Sequence, residues 1–109
     1  MRIAVLGTGM VGRLLAERLD GLGHEVTVGT RDVATTLARA EPDAMGNPPF
    51  GSWAEAHPRV RVTPFAEAAA ASEMIINATS GDGSLSALTM AGEANLTGKL
   101  VDNLGVETI

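Results

Sequence analysis

Glycines 7, 9 and 12 stand in the pattern Gly7-Thr8-Gly9-Met10-Val11-Gly12, which follows the aliphatic run Ile3-Ala4-Val5-Leu6 and leads into a helical pattern. A strand that breaks at G-x-G-x-x-G and opens a helix is a dinucleotide-binding fingerprint, because the turn and the helix N-terminus together cradle phosphates. Gly7 permits the tight turn off the strand. Gly9 lets a pyrophosphate approach the backbone where a Cβ would stand, and Gly12 lets the helix pack closely on the sheet. The N–H groups of the first helical turn, at Met10 and Val11, then face the phosphates with the positive end of the helix dipole behind them. A glycine-rich turn without a ligand is the other reading of these residues.

The end of the second strand, Gly29-Thr30-Arg31-Asp32, carries the next chemical signal. A pocket that selects NAD places an Asp or Glu about twenty residues beyond the glycine loop, to accept hydrogen bonds from the adenosine ribose. The corresponding residue is Gly29 or Thr30, and neither is acidic. Arg31 follows, and its planar fork can bind a 2′-phosphate bidentately or stack on adenine, with the Thr30 hydroxyl as a further donor. The pattern therefore predicts NADP(H). The alternative makes Arg31 a solvated surface arginine and Asp32 the ribose-binding acid, displaced by a residue or two.

A third candidate is Asn77-Ala78-Thr79-Ser80-Gly81, which ends the fourth strand of the expected sheet. Ala78, Thr79 and Ser80 there can line the nicotinamide half of a cleft, or the segment can be a helix-capping loop. His24 reads as a turn residue, and His57 lacks partners that the sequence can identify. Phe50 and Trp53 read as packing or interface residues rather than cofactor stackers. Two distant histidines and no Cys give no metal site. No catalytic residue stands out.

These groups need a scaffold, and the hydrophobic periodicity supplies one. Val11, Leu14, Leu15, Leu19 and Leu22 recur at helical spacing opposite Arg13, Glu17, Arg18 and Asp20, which predicts an amphipathic helix with the leucines inward. His24 to Val28 is the second strand, and Val33 to Ala40 a helix with Asp32 as its N-cap. Glu41 to Pro58, which holds four of the five prolines, is an irregular excursion with a helical turn around Trp53 to Ala56. Strands at Arg59 to Val62, Glu73 to Asn77 and Lys99 to Asp102 alternate with helices at Pro64 to Ala71 and from about Leu85 to Glu93. The alternation predicts an α/β fold: a doubly wound parallel sheet of about five strands, ordered 3-2-1-4-5, in one Rossmann-like NAD(P)-binding domain over residues 1–109.

Composition narrows the partners. Eight Lys and Arg against thirteen Asp and Glu leave a net charge of −5, which argues against a nucleic-acid surface. One phosphate can still be held locally, since charges farther than about 8 to 10 Å are screened. The absence of Cys excludes disulfides and thiol catalysis and is compatible with a reducing compartment. The apolar run at the start is too short for a signal peptide or a membrane span, so the expectation is a cytoplasmic protein without a membrane partner.

Met1 to Gly12, Gly29-Thr30-Arg31-Asp32, Met45-Gly46-Asn47-Pro48-Pro49-Phe50 and Asn77-Ala78-Thr79-Ser80 together resemble the NADPH-dependent F420 reductase family, over Met1 to about Asp102. The resemblance implies hydride transfer between NADPH and a deazaflavin, coenzyme F420. It also implies Thr8, Gly9, Met10 and Val11 at the pyrophosphate, and Thr30 and Arg31 at the 2′-phosphate. Family members continue past the fifth strand into a region that helps form the deazaflavin pocket and dimer, where this sequence has Asn103 to Ile109. The expectations are thus an oxidoreductase or its cofactor-binding part, associating as a homodimer or with a partner chain, or else a non-catalytic NADP-binding module. A methyltransferase reading is disfavoured by the missing acid after the second strand.

Overall fold

Ile3, Ala4, Val5 and Leu6 are all buried, so the first strand has no solvent face and must lie inside a sheet covered on both sides. The computed structural model places it there; it describes residues 1–39, 41–42, 46, 48–79, 87–96 and 98–103. The strands are β1 (Arg2–Leu6), β2 (Glu25–Thr30), β3 (Arg61–Pro64), β4 (Met74–Asn77) and β5 (Leu100–Asn103). The helices are α1 (Met10–Gly21), α2 (Val33–Ala38), α3 (Phe50–Ala56), α4 (Phe65–Ala70) and α5 (Glu93–Leu96), and residues 87–91 are helical as well. All pairings are parallel, and the sheet order is β3-β2-β1-β4-β5, as the alternating pattern predicts.

Because side chains alternate across a strand, β1 feeds two cores. Ala4 and Leu6 join Phe65, Ala68, Ala69, Ile75, Ala87 and Ala91 on one face. Val5 joins Ala16, Val26, Val28, Phe50 and Val60 on the other, where α1 and α3 pack. Register carries this arrangement to the sheet's C-terminal edge. Leu6 lies opposite Gly29 on β2 and Asn77 on β4, so the segments that follow these three residues emerge side by side.

Two expectations need correction. The inward face of α1 is Gly12, Arg13 and Ala16, with Leu15 and Leu19 half-buried, while Val11, Leu14 and Leu22 are exposed. The reason is the close approach of helix to sheet: a Cβ on Gly12 would stand 2.7 Å from the Gly7 carbonyl oxygen, so small residues take the contact and large ones are displaced outward. The third strand also begins two residues later than expected and runs through Pro64, which caps α4 from outside it. β3 is an edge strand, where a missing N–H costs no ladder bond. Among the described residues, no helix is long and apolar enough to cross a membrane.

Candidate cofactor-binding site

β1 and β4 are neighbours in the sheet but far apart in sequence, and the crevice at such a switch point, outside the strands' C-terminal ends, is where open α/β sheets bind ligands. Gly7 turns the chain there with φ +118°, a left-handed conformation that suits glycine. Its N–H donates to the Gly29 carbonyl at 3.0 Å, and a Cβ on it would lie 3.1 Å from the carbonyl of Ala78. The glycine loop is thereby pressed between the ends of β2 and β4.

Gly9 is the N-cap of α1, and no side chain caps the helix there. The first helical bond runs from the Arg13 N–H to the Gly9 carbonyl at 3.0 Å, which leaves the N–H groups of Met10, Val11 and Gly12 without an intrahelical acceptor. A Cβ on Gly9 would meet nothing within 4 Å. Gly9, Met10 and Val11 are exposed at the start of an uncapped twelve-residue helix, while Gly7 makes the turn and Gly12 packs tightly against it. These features fit a pyrophosphate: donors aligned by the helix dipole, and backbone accessible from outside.

At the end of β2, a Cβ on Gly29 would stand 2.8 Å from Leu6 Cδ2 and 3.1 Å from Phe65 Cδ1, so that position faces the core and has no room for an acidic side chain. Thr30 is buried, and its hydroxyl shares a 2.8 Å hydrogen bond with the Thr36 hydroxyl, tying β2 to α2. Arg31 is exposed. Asp32 is the N-cap of α2, as its sequence position predicts, and one carboxylate oxygen accepts from the Thr35 N–H at 3.1 Å. Asp32 thus caps the helix with one of its oxygens, and Arg31 is the basic side chain that stands between strand and cap.

At the end of β4, Asn77 is fully buried and its Oδ1 accepts from both the N–H and the hydroxyl of Thr79, closing a side-chain turn. Ala78 donates its N–H to the Leu6 carbonyl at 2.9 Å. The structure so brings Gly7, Thr8, Gly9, Met10, Val11, Gly12, Ala78 and Thr79 together on one edge, with Thr30 and Arg31 beside them. Ser80 lies outside the described residues. At the opposite edge of the sheet a cavity of about 580 Å³ is lined in part by Arg2, His24, Glu25, Arg59 and Arg61. Its cations are partly spent in ion pairs, Arg59 with Asp20 at 3.0 Å and Arg2 with Glu73 at 3.7 Å.

The sequence reading missed Arg13. It is buried, its Nε–H donates to the Thr8 carbonyl at 2.8 Å, its Nη1 donates to the Pro48 carbonyl, and its guanidinium carbon lies 5.6 Å from the centre of the Phe50 ring. The signal that could have found it is the pair of small residues Gly12 and Ala16, which marks the true inward face of α1 and places Arg13 at its border.

His57 has the partners the sequence could not supply. Nδ1 lies 2.8 Å from the Trp53 carbonyl and Nε2 lies 2.8 Å from a Glu17 carboxylate oxygen, while the ring stacks on Trp53 at 4.3 Å. Both partners are acceptors, so both bonds form only when both ring nitrogens carry protons. The Trp53 carbonyl raises the His57 pKa above 6.5, partial burial opposes it, and the Glu17 and Asp20 carboxylates add to the rise. Since the folded value exceeds the unfolded one, this link between α3 and α1 stabilises the fold fully below pH 6.5 and is lost as pH rises through the folded value. His57→Gln should therefore destabilise the fold at about pH 6 by the worth of a half-exposed pair, about 0.2–1 kcal/mol, with a lower melting point, and change it little at about pH 9. Thermal melts of both proteins at the two pH values measure the difference; equal losses would remove the charge from the account.

A parallel sheet of this order, with a glycine turn and an uncapped helix at its switch point, defines a Rossmann-like α/β fold. The chain belongs to the family described as NADP oxidoreductase, coenzyme F420-dependent, whose pattern matches residues 2–102. It is similar to a protein of Arthrobacter sp. FB24, provisionally described as an F420-dependent NADP-reductase, with 54% identity and a TM-score of 0.89. That match covers 95% of this chain but only 45% of the Arthrobacter chain, so this chain spans about half the relative's length. A GDP-mannose dehydrogenase from Pseudomonas aeruginosa is 22% identical over 74% of this chain and 20% of its own, with a TM-score of 0.50, a likeness of fold alone. No curated protein matches this chain.

Proposed function

We propose that this chain binds NADP(H) as the cofactor-binding part of an oxidoreductase that moves a hydride between NADPH and the deazaflavin coenzyme F420. The observation that carries the reading is the end of β2, where Gly29 has no room for an acid, Asp32 caps α2 with one oxygen, and the basic side chain of Arg31 stands exposed between them. Family membership supports the redox chemistry. Gly9, Met10 and Val11 would hold the pyrophosphate, Thr8 would border it, and Arg31 would take the 2′-phosphate with Thr30 behind it. Ala78 and Thr79 would border the nicotinamide half of the crevice, with Ser80 the next residue in sequence. The bound cofactors supply the hydride chemistry, and the chain's own residues bind and orient.

The test is direct. Mixing the protein with NADPH and oxidised F420 in a stopped-flow spectrometer should bleach the deazaflavin absorbance as NADPH is consumed. Dinucleotide binding without turnover would reduce the function of this chain to cofactor binding, and absence of binding would remove the reading altogether.

A further inference from the structure

We propose that Arg13 is a positioning residue that couples dinucleotide binding at the glycine loop to the segment formed by Pro48 and α3. The inference rests on the dinucleotide reading above. Arg13 is 6% exposed, and among the described residues it makes no ion pair. Its hydrogen bonds go to two carbonyls on two segments forty residues apart in sequence: that of Thr8, inside the glycine loop, and that of Pro48, which precedes α3. Among the described residues its compensation is two carbonyl dipoles and the face of Phe50, and such a buried cation carries a desolvation penalty that an opposite charge would offset. A pyrophosphate on the loop that Arg13 touches is such a charge. Its arrival should draw the guanidinium toward the loop, and because one rigid fork holds both carbonyls, that shift must pull on the Pro48 bond and move the segment it holds.

The far side of the link has a built-in reporter. Phe50, over which the guanidinium lies, is 5.3 Å from Trp53, the sole tryptophan of the chain, and Trp53 stacks on His57. A change in the Pro48 to Phe50 segment therefore reaches the Trp53 indole through direct ring contact.

NADP+ serves as the probe, since the oxidised form does not absorb tryptophan emission. It is titrated into wild type, Arg13→Lys and Arg13→Met, with affinity read by calorimetry and the segment read by Trp53 fluorescence. Lysine keeps the charge but, as a single point donor on a flexible stem, cannot hold both carbonyls in one fixed geometry. The expected result is a wild-type fluorescence change that tracks the calorimetric isotherm, and an Arg13→Lys protein that binds within about tenfold of wild type with its emission unchanged. Arg13→Met, which also loses the charge, should bind more weakly by about tenfold or more. A full Trp53 response in Arg13→Lys, wild-type affinity in a folded Arg13→Met, or wild-type emission indifferent to saturating NADP+ each overturns the coupling while the dinucleotide reading stands. If Arg13→Met fails to fold, the lysine variant and the wild-type emission decide. A wild type that does not bind NADP+ overturns both readings.

Discussion

Gly9→Val is expected to abolish NADPH binding and leave the fold standing. Gly9 sits at the N-cap of α1 with φ −75°, a value any residue adopts, and a Cβ there would meet nothing within 4 Å. The structural cost is the poorer N-cap, about 1 kcal/mol or less, or a melting point lower by about 4–8 °C. The binding cost is steric: the branched side chain would occupy the space through which the N–H groups of Met10 and Val11 reach a phosphate. Affinity should fall by more than about a hundredfold, or about 3 kcal/mol. The neighbouring glycine gives the contrast. In Gly12→Val the new Cβ would stand 2.7 Å from the Gly7 carbonyl oxygen, and backbone cannot rotate away as a side-chain tip can. Overpacking against the central strand should cost about 1–3 kcal/mol or more, before any ligand is considered. Calorimetry with NADPH and thermal melts on both variants separate the two roles. Wild-type affinity in Gly9→Val would move the nucleotide away from this loop.

The parts of this site that depend on local chain chemistry were legible in the sequence. An apolar run ending at Gly7 marks a buried strand and its turn, and Asp32 before a helical stretch marks a cap; both are properties of a few adjacent residues. The strand order followed from the alternation of elements, because parallel neighbours require crossovers. The facing of α1 was not legible, since its five large apolar residues suggest one stripe while the surface that meets β1 is chosen by how little space Gly12 and Ala16 occupy. The Pro-rich excursion was legible only as irregular. Its placement is set by contacts across long sequence separations, from Arg13 to Pro48 and from Glu17 to His57, which no local propensity encodes. Phe50 and Trp53 pack against the domain's own core, a choice between packing and interface that only the folded chain makes.

Arg31→Ala should separate the two dinucleotides. Leu6 and Gly29 are register partners on adjacent strands, so the glycine loop and the Thr30-Arg31 turn leave the sheet side by side, at about the strand spacing of 4.8 Å. A dinucleotide whose pyrophosphate rests on α1 would extend its adenosine ribose over this turn. Charge selects between cofactors there: NADPH carries a 2′-phosphate that an arginine fork can engage, and NADH carries a hydroxyl that would want an acid. Gly29 cannot supply one, and Asp32 accepts from the Thr35 N–H instead. Losing charge-assisted bonds worth about 1.5–3 kcal/mol should weaken NADPH by about ten- to a hundredfold and leave NADH nearly unchanged. Rising salt should erode the wild-type preference for NADPH more than it affects NADH, because the extra contact is an exposed ionic one. Dissociation constants for both cofactors and both proteins, at low and high salt, decide it. An equal loss for the two cofactors would assign Arg31 to adenine stacking and take from the NADP(H) reading its main support, because the Thr30 hydroxyl beside it is buried and shared with Thr36.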